Sequence, residues 1–161
     1  MEQIHAGRNL DEQGIPFGAI PASFVEGRSE ARMVYPGAQE VFRRVERGTG
    51  SMVLKILSFD QVPAGHLEAG YVAPAPPDAV LDWYQAELGA RGWSSRARRH
   101  SEHEFDALQG FDRPRQELVV TVPTRHRAQP RLDRNGVTWP EPGRCYFELQ
   151  YRIFVRHPPQ R

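Results

Sequence analysis

The sequence predicts an α+β fold: an antiparallel sheet of five or six strands, one main helix packed on one face, and an irregular N-terminal arm. Residues 76–93 hold a helix start, an apolar face and a helix stop in order, and residues 145–155 alternate between apolar and polar side chains. The chain has 161 residues, of which 39% are hydrophobic and 25% charged. This size and composition suit one globular domain, which we place at residues 33–161.

Residues 1–32 show no sustained period of 2 or 3.6 and contain spaced glycines and prolines. We predict an extended N-terminal arm here. Its apolar side chains are more numerous than a disordered tail needs: Ile15, Phe17, Ile20, Phe24 and Val25. One interpretation is a floppy terminus. The other is an arm that lies on a partner protein, for which we name Phe17, Ile20 and Phe24 as partner-binding residues.

The segment before the helix predicts a turn and three strands. Residues 35–38, Tyr-Pro-Gly-Ala, favour a type II turn, because Pro suits its second position and Gly its third. Residues 39–47 fit a strand or a short helix. The Gly-Thr-Gly of residues 48–50 and the apolar residues 52–59 favour two strands joined by a tight link, and residues 67–72 predict a third short strand.

The main helix has a clear start and a clear stop. The prolines at residues 76–77 fit a first helical turn, and Asp78 places negative charge near the positive end of the helix dipole. Gly92 suits the left-handed position after a helix, and Trp93 then suits the apolar position of a Schellman motif. The helix is expected to end at about Arg91. Its apolar residues form one stripe: Val80, Leu81, Tyr84 and Leu88.

A second group of strands follows the helix. Residues 105–111 are a weak strand candidate, residues 112–115 a turn, and residues 117–122 a stronger strand. The strand at residues 145–155 has the clearest alternation, so one of its faces is expected to meet the core and the other to face water.

Residues 123–143 are predicted to form the longest loop, and loops of this length are usually functional or disordered. Trp139, flanked by prolines, could stack on a ligand or a base. We name Arg125, Arg127, Arg131 and Trp139 as partner-binding residues. The alternative is a solvated hairpin extension whose Trp139 folds back on the sheet edge. The basic residues of the loop are Arg125, His126, Arg127, Arg131 and Arg134.

The charge and cysteine content restrict the classes of function. The formal net charge of +1 argues against a general affinity for nucleic acid or anionic membrane. Cys145 is the single cysteine, so the chain has no internal disulfide and no cysteine-rich metal site. Because the N-terminal residues do not have the pattern of a leader peptide, we expect a soluble protein, cytoplasmic or part of a phage-like assembly.

Motifs for metal binding and catalysis are weak or absent in the sequence. His100 and His103, with Glu102 or Glu104, could supply metal ligands, but a charged connecting loop explains them better, and we expect no metal and no cofactor. The patterns of serine hydrolases, nucleotide-binding loops and kinases are missing. Cys145 opens an apolar strand and is expected to be a small buried hydrophobe.

The Tyr-Pro-Gly-Ala of residues 35–38, the helix and Gly-Trp stop of residues 76–93, and the paired strands after them resemble small uncharacterised domains of actinobacterial hypothetical proteins and envelope lipoproteins. The resemblance covers roughly residues 35–155. It implies an α+β domain and brings no catalytic residues with it. Many such relatives look like exported lipoproteins with a lipid-bearing cysteine near the start, which this chain lacks, so an envelope location is not carried over.

The function that these patterns favour is a non-catalytic protein-interaction or structural module, such as a subunit of a virion or secretion assembly. It would contact a protein partner, or a second copy of itself, through the arm and the loop at residues 123–143. A small-molecule or nucleic-acid binder that uses the arginine-rich loop and Trp139 is one alternative. An enzyme with dispersed catalytic residues, for example Asp106 and Glu117, is another.

Overall fold

The computed structural model describes residues 10–47 and 63–156. Within them, six strands form one sheet in the order β1-β2-β6-β5-β4-β3, and every neighbouring pair is antiparallel. The α+β prediction is confirmed. The strands are β1 (Gln39–Arg47), β2 (Pro63–Ala73), β3 (Ser94–Ser95), β4 (Phe105–Arg113), β5 (Gln116–Pro123) and β6 (Cys145–Phe154).

Three α-helices and one short 3-10 helix accompany this sheet in the described residues. They are α1 (Ala22–Gly27), the 3-10 helix Ser29–Arg32, α2 (Pro77–Ala90) and α3 (Arg125–Arg134). Helix α2 and the residues before β1 pack on one face of the sheet and enclose the main core. Helix α3 packs on the opposite face, where a smaller cluster holds it.

The alternation of β6 determines which side chains enter the main core. Cys145, Phe147, Leu149, Tyr151 and Ile153 are all buried there. The residues between them point to the opposite face, as the two-residue period of a strand requires. That second face carries polar and charged side chains as well as the small cluster under α3.

Helix α2 ends as the sequence predicts. Gly92 has a φ of 84°, and the Trp93 amide donates to the Leu88 carbonyl at 3.0 Å. The Gly92 amide donates to the Gly89 carbonyl at 3.1 Å, which completes a Schellman motif. The predicted stripe on α2 is fully buried, and the Tyr84 hydroxyl donates to the Met33 carbonyl at 3.0 Å.

The region before α2 agrees with the prediction in its turn and in part of its strands. The Ala38 amide donates to the Tyr35 carbonyl at 3.0 Å, and Gly37 has a φ of 80°, as a type II turn requires. Residues 39–47 form a strand rather than a helix. The predicted hairpin partner, residues 48–50 and 52–59, lies outside the described residues.

Strand β2 is longer than the predicted residues 67–72, and it pairs with β1 and β6. Pro63, Gly65 and Gly70 weaken the strand signal in its sequence. The two glycines have a steric role, because other side chains cross the backbone of β2 at both positions. A Cβ on Gly65 would lie 2.6 Å from the Cγ2 atom of Val25 in α1.

The part of the predicted arm that the structure describes, residues 10–32, packs against the domain. Ile15, Ile20 and Val25 have no exposed surface and belong to the main core. Residues 22–32 are helical in two short pieces, while the rest is irregular. Helix α1 contacts β1 and β2, whereas α2 contacts β3 and β4, so burial against another part of the sheet orders a segment with no periodic pattern.

The prediction of a continuous loop over residues 123–143 is wrong, because residues 125–134 form α3. Pro130 lies inside this helix, where it cannot donate to the carbonyl of His126, and it made the segment resemble a loop. Ala128 and Leu132 are spaced four residues apart and are buried against the sheet. This tertiary contact outweighs the weak helix signal of the local sequence.

Candidate binding surface around α3

A small apolar cluster attaches α3 to the second face of the sheet. Ala128 and Leu132 of α3 contact Tyr146 of β6, with Phe42 and Val72 packed around them. The helix ends in a second Schellman motif, because Gly136 has a φ of 66° and the Val137 amide donates to the Leu132 carbonyl at 2.9 Å. Val137 and Trp139 pack against the same cluster, so the chain after the helix stays close to it.

Gly70 of β2 makes this attachment possible. A Cβ at this position would collide with the Phe42 ring and the Tyr146 hydroxyl. Phe42 on β1 and Tyr146 on β6 therefore approach each other over the backbone of the strand between them. The glycine permits a contact that a larger residue would block.

Beside the apolar cluster lies a charged cluster of Glu68, Glu148, Arg131, Arg44 and Tyr146. Arg131 contacts both carboxylates through Nη1, at 2.9 Å from Oε1 of Glu68 and in a short hydrogen bond to Oε2 of Glu148. Arg44 donates to Glu68 at 2.7 Å, and the Tyr146 hydroxyl donates to Glu148 at 2.6 Å. Only 8% of the Glu68 side chain is exposed, so these pairs neutralise carboxylates that are largely removed from water.

Burial and charge set the protonation of two members of the charged cluster. Burial alone would lower the pKa of Arg131, but Glu148 and Glu68 raise it by more, so the guanidinium stays charged. Burial raises the pKa of Tyr146 above its ordinary value, and the neighbouring carboxylate of Glu148 raises it further. The Tyr146 hydroxyl therefore remains protonated and acts as a donor.

Two grooves flank α3. The first, here called the sheet-side groove, has a volume of about 420 Å³ and lies between α3 and the strands. Three arginines of α3 line it with the spacing of one helical face: Arg127, Arg131 and Arg134. Its other walls include Glu68, Glu148, Thr121 and Gln150.

The second groove, here called the tryptophan groove, has a volume of about 550 Å³. It is lined by Arg125 at the start of α3 and by Trp139, Pro140, Pro142 and Arg144 after the helix. The guanidinium carbon of Arg125 lies 5.9 Å from the centre of the Trp139 ring, within the range of a cation–π contact. Trp139 is half-buried, so part of the ring is accessible to a ligand.

The structure brings four of the predicted partner-binding residues together around α3. Arg125 and Trp139 line the tryptophan groove, while Arg127 and Arg131 line the sheet-side groove. Trp139 partly meets the alternative prediction as well, because it folds back on the small cluster while it lines a groove.

The three residues predicted on the arm lie elsewhere. Ile20 is fully buried in the main core, so it is not accessible to a partner in this conformation. Phe17 is half-buried between Arg115 and Arg156, with both guanidinium carbons within 6 Å of its ring centre (5.8 and 5.9 Å). Phe24 is half-buried against Arg28. Neither Phe17 nor Phe24 lines a groove beside α3.

Sequence reasoning missed the acidic residues of this surface. Glu68 and Glu148 are 80 positions apart in the chain and meet only because β2 pairs with β6. A signal was available, since both glutamates occupy the polar positions of strands whose other face is apolar. The Asn-Gly-Val after Arg134 and the pair Ala128 and Leu132 were signals of the helix itself.

Other candidate sites from the sequence do not assemble in the described residues. His100, His103, Glu102 and Glu104 are not deeply buried, and His100 contacts the Asp106 carbonyl through Nδ1 at 2.6 Å. No group of three or more His, Cys, Asp or Glu side chains within residues 10–47 and 63–156 could hold a metal ion.

Two candidate catalytic features are also placed by the structure. Glu117 on β5 pairs with Asp112 on β4, and Asp106 lies six residues from Asp112 along β4. The two candidate catalytic acids, Asp106 and Glu117, are therefore roughly 20 Å apart. Cys145 is buried on the main-core side of β6, and burial raises the pKa of its thiol to about 11. At neutral pH it is therefore a protonated, inaccessible thiol rather than a nucleophile.

No protein-family model, no curated protein and no solved structure matches the chain. Among the helices in the described part of the chain, none is both long enough and apolar enough to cross a membrane.

Proposed function

We propose that this chain is a non-catalytic protein-interaction module that contacts its partner through α3 and the residues that follow it, as a subunit of a larger assembly. One observation carries the proposal: four side chains of contact-forming types, Arg125, Arg127, Arg131 and Trp139, border two grooves beside one helix. Arginine and tryptophan are among the residue types enriched at the energetically dominant positions of protein interfaces.

The position of α3 supports this proposal. The helix contributes two buried residues to a small cluster and none to the main core. Its remaining side chains are therefore not needed to close the main core, and they lie at least partly at the surface, where they can contact another protein. The apolar residues of the arm have the opposite role, since Ile15, Ile20 and Val25 are fully used within the domain. The proposal accordingly assigns the partner contact to the α3 surface rather than to the arm.

The charges around α3 favour a protein partner over nucleic acid. Arg131 already pairs with Glu68 and Glu148 through Nη1, and Nη2 of Arg127 lies 3.5 Å from Oε1 of Glu104. Nucleic acid is bound through several unneutralised basic side chains that contact successive phosphates. A partner with a few polar and apolar groups matches this mixed surface better.

The test is affinity capture of the full chain from its native host, with bound proteins identified by mass spectrometry. The double variant Arg125→Gln and Trp139→Ala removes the charged and aromatic walls of the tryptophan groove. The matched control is Arg91→Gln, at an exposed position at the end of α2 on the opposite face of the sheet. The proposal predicts a specific set of proteins with wild type and with the control, and loss of that set with the double variant. The proposal is contradicted if wild type, the control and the double variant all capture the same set of proteins.

A second candidate function, a small-molecule binder, is favoured by the contact between Arg125 and Trp139 in a groove of about 550 Å³. Such a groove has the size of a ligand site and an accessible aromatic ring. Its test is tryptophan fluorescence during titration with nucleotides and with aromatic carboxylic acids, in which the change that wild type shows and Trp139→Phe lacks is assigned to Trp139, since the chain also contains Trp83 and Trp93. Binding that weakens steeply as salt rises would indicate contacts to several phosphates.

A further inference from the structure

Arg131 has two unused donor nitrogens in the sheet-side groove. Both of its ion pairs, with Glu68 and with Glu148, are made by Nη1. Within residues 10–47 and 63–156, Nε and Nη2 make no hydrogen bond, and they are not sealed from solvent. Of the Arg131 side chain, 29% is exposed. The Nε and Nη2 edge of a guanidinium is a planar fork that matches the two oxygens of a carboxylate.

The guanidinium of Arg131 is also held in place. Its central carbon lies 4.7 Å from the centre of the Phe42 ring, which packs against one face. The two carboxylates hold Nη1 from a second direction. An arginine fixed in this way loses little side-chain entropy when it binds a ligand, because that cost is already met by the fold.

Two further arginines flank this fork along the same groove. Arg134 makes no ion pair with another described residue, and Arg127 makes only the exposed contact with Glu104 at 3.5 Å. The groove is lined by three arginines (Arg127, Arg131 and Arg134) and three glutamates (Glu68, Glu104 and Glu148), and Arg44 beside it pairs with Glu46 as well as with Glu68. Because this lining is formally neutral, it disfavours a phosphate, which carries nearly two negative charges at neutral pH, more than a single carboxylate.

The neighbouring polar groups match a peptide. Oε1 of Glu148 makes no hydrogen bond with another described residue, so it can accept one from a peptide amide. Thr121 and Gln150 add a hydroxyl and a side-chain amide to the groove wall. A volume of about 420 Å³ accommodates a few residues of an extended segment.

From these contacts we infer that the sheet-side groove binds an acidic residue, Asp or Glu, in an extended segment of the partner protein, with its carboxylate on the Nε and Nη2 edge of Arg131. The inference rests on the proposed function and specifies what the partner contributes. Glu148 holds Arg131 in position and accepts from the peptide backbone, while Arg134 and Arg127 attract the charge.

The experiment follows the Nε–H resonances of the arginines by NMR while the full chain is titrated with acetyl-Gly-Gly-Glu-Gly-Gly-amide. The inference predicts that the Arg131 resonance shifts with this peptide and not with the matched Gln peptide, while the resonance of Arg91 stays in place. If neither peptide shifts Arg131, or if all arginines shift alike, the inference is overturned. A shift with inorganic phosphate but not with the Glu peptide also overturns it, because the ligand would not be a carboxylate on a peptide.

Two variants separate the contribution of the Arg131 fork to binding from the contribution of positive charge alone. Arg131→Lys keeps the charge but removes the fork, and it is expected to weaken binding of the Glu peptide about ten- to hundred-fold. Arg134→Gln leaves the charged cluster intact and is expected to weaken binding about two- to five-fold. The inference is contradicted if wild type, Arg134→Gln and a folded Arg131→Lys all bind the Glu peptide with the same affinity.

The peptide titration is independent of the capture experiment. If the peptide fails to bind but the Arg125 and Trp139 variant loses its partners, the inference fails while the proposed function stands. If the peptide binds and the captured proteins are unchanged in that variant, the tryptophan-groove contact of the proposed function fails instead.

Discussion

Arg115 adopts a left-handed backbone conformation, with a φ of 63°, and its guanidinium donates to the carboxylate of Asp11 at 2.8 Å. It also donates to the carbonyls of Ile15, Pro16 and Phe154. A non-glycine residue in this conformation costs about 1 to 2 kcal/mol. The bonds offset that cost, and they fasten residues 11–16 to the turn between β4 and β5.

Asp11→Asn is therefore expected to lower the free energy of unfolding by about 2 to 3 kcal/mol, because hydrogen bonds to a charged, buried group are lost. The Asp11 side chain has no exposed surface. Urea unfolding at pH 7 measures the change. The matched control is Glu12→Gln at the neighbouring exposed position, for which no measurable change is expected. Equal unfolding midpoints for wild type and Asp11→Asn would show that the contact does not secure the segment.

The same pair predicts a pH dependence. Burial alone would raise the pKa of Asp11, but the Ile15 amide, the Arg115 guanidinium and the Gln13 amide together lower it below its ordinary value of 3.8. A group with a lowered pKa stabilises the fold above its unfolded value and loses this contribution as the pH falls through the folded value. The stability difference between wild type and Asp11→Asn should thus be constant from pH 7 to about 5 and shrink below pH 3.8.

The contact of α2 with the sheet predicts two large losses of stability. Leu88→Ala and Trp93→Ala should each lower the free energy of unfolding by about 2 to 5 kcal/mol, because both remove large buried side chains. Leu10→Ala is the control, since Leu10 is 38% exposed. Thermal or urea unfolding measures all three. Unfolding midpoints of Leu88→Ala and Trp93→Ala close to that of wild type would mean that α2 does not form the core.

A glycine pair tests the close packing under α3. Gly70→Ala is expected to destabilise the fold by about 1 to 3 kcal/mol, because its Cβ collides with Phe42 and Tyr146. Gly89→Ala, in α2 with nothing within 4 Å of the added Cβ, should stabilise by about 0.5 to 1 kcal/mol. Calorimetry should show opposite shifts in melting temperature. Shifts of the same sign would contradict the packing of Phe42 and Tyr146 over β2.

The charged cluster predicts a local effect on α3. Glu148→Gln removes the charge that Arg131 and Tyr146 both contact, so the helix should open more often from the sheet. Hydrogen exchange by mass spectrometry should show faster exchange in residues 125–134 and unchanged exchange in β6. Glu141→Gln, at an exposed position, is the control. Unchanged exchange in α3 would mean that the apolar cluster alone holds the helix.

The sequence predicted best the elements whose signals are local. Helix α2 carries its start, apolar stripe and stop within 18 residues, and β6 carries its alternation within one strand. Helix α3 has only two buried positions, Ala128 and Leu132, and Pro130 lies between them, so its segment resembled a loop. The short strand β3 has two residues and no pattern to detect.

The candidate surface was predicted only in part, because its two sides come from distant parts of the chain. Arg125 and Trp139 were recognised from composition, since basic and aromatic residues cluster there. Glu68 and Glu148 required the pairing of β2 with β6, which the sequence alone does not reveal. The irregular sequence around Ile20 favours a partner contact, whereas tertiary packing places this residue in the main core.

Site-specific photo-crosslinking in the native host tests the central claim most directly. Trp139 is replaced in one variant, and the exposed Arg91 in another, by the photoreactive residue p-benzoylphenylalanine. If the α3 surface contacts a partner protein, irradiation should produce a discrete crosslinked species from position 139 and none from position 91. Crosslinks from position 91 alone, or no crosslink from position 139 while the chain is folded and expressed, would contradict the account.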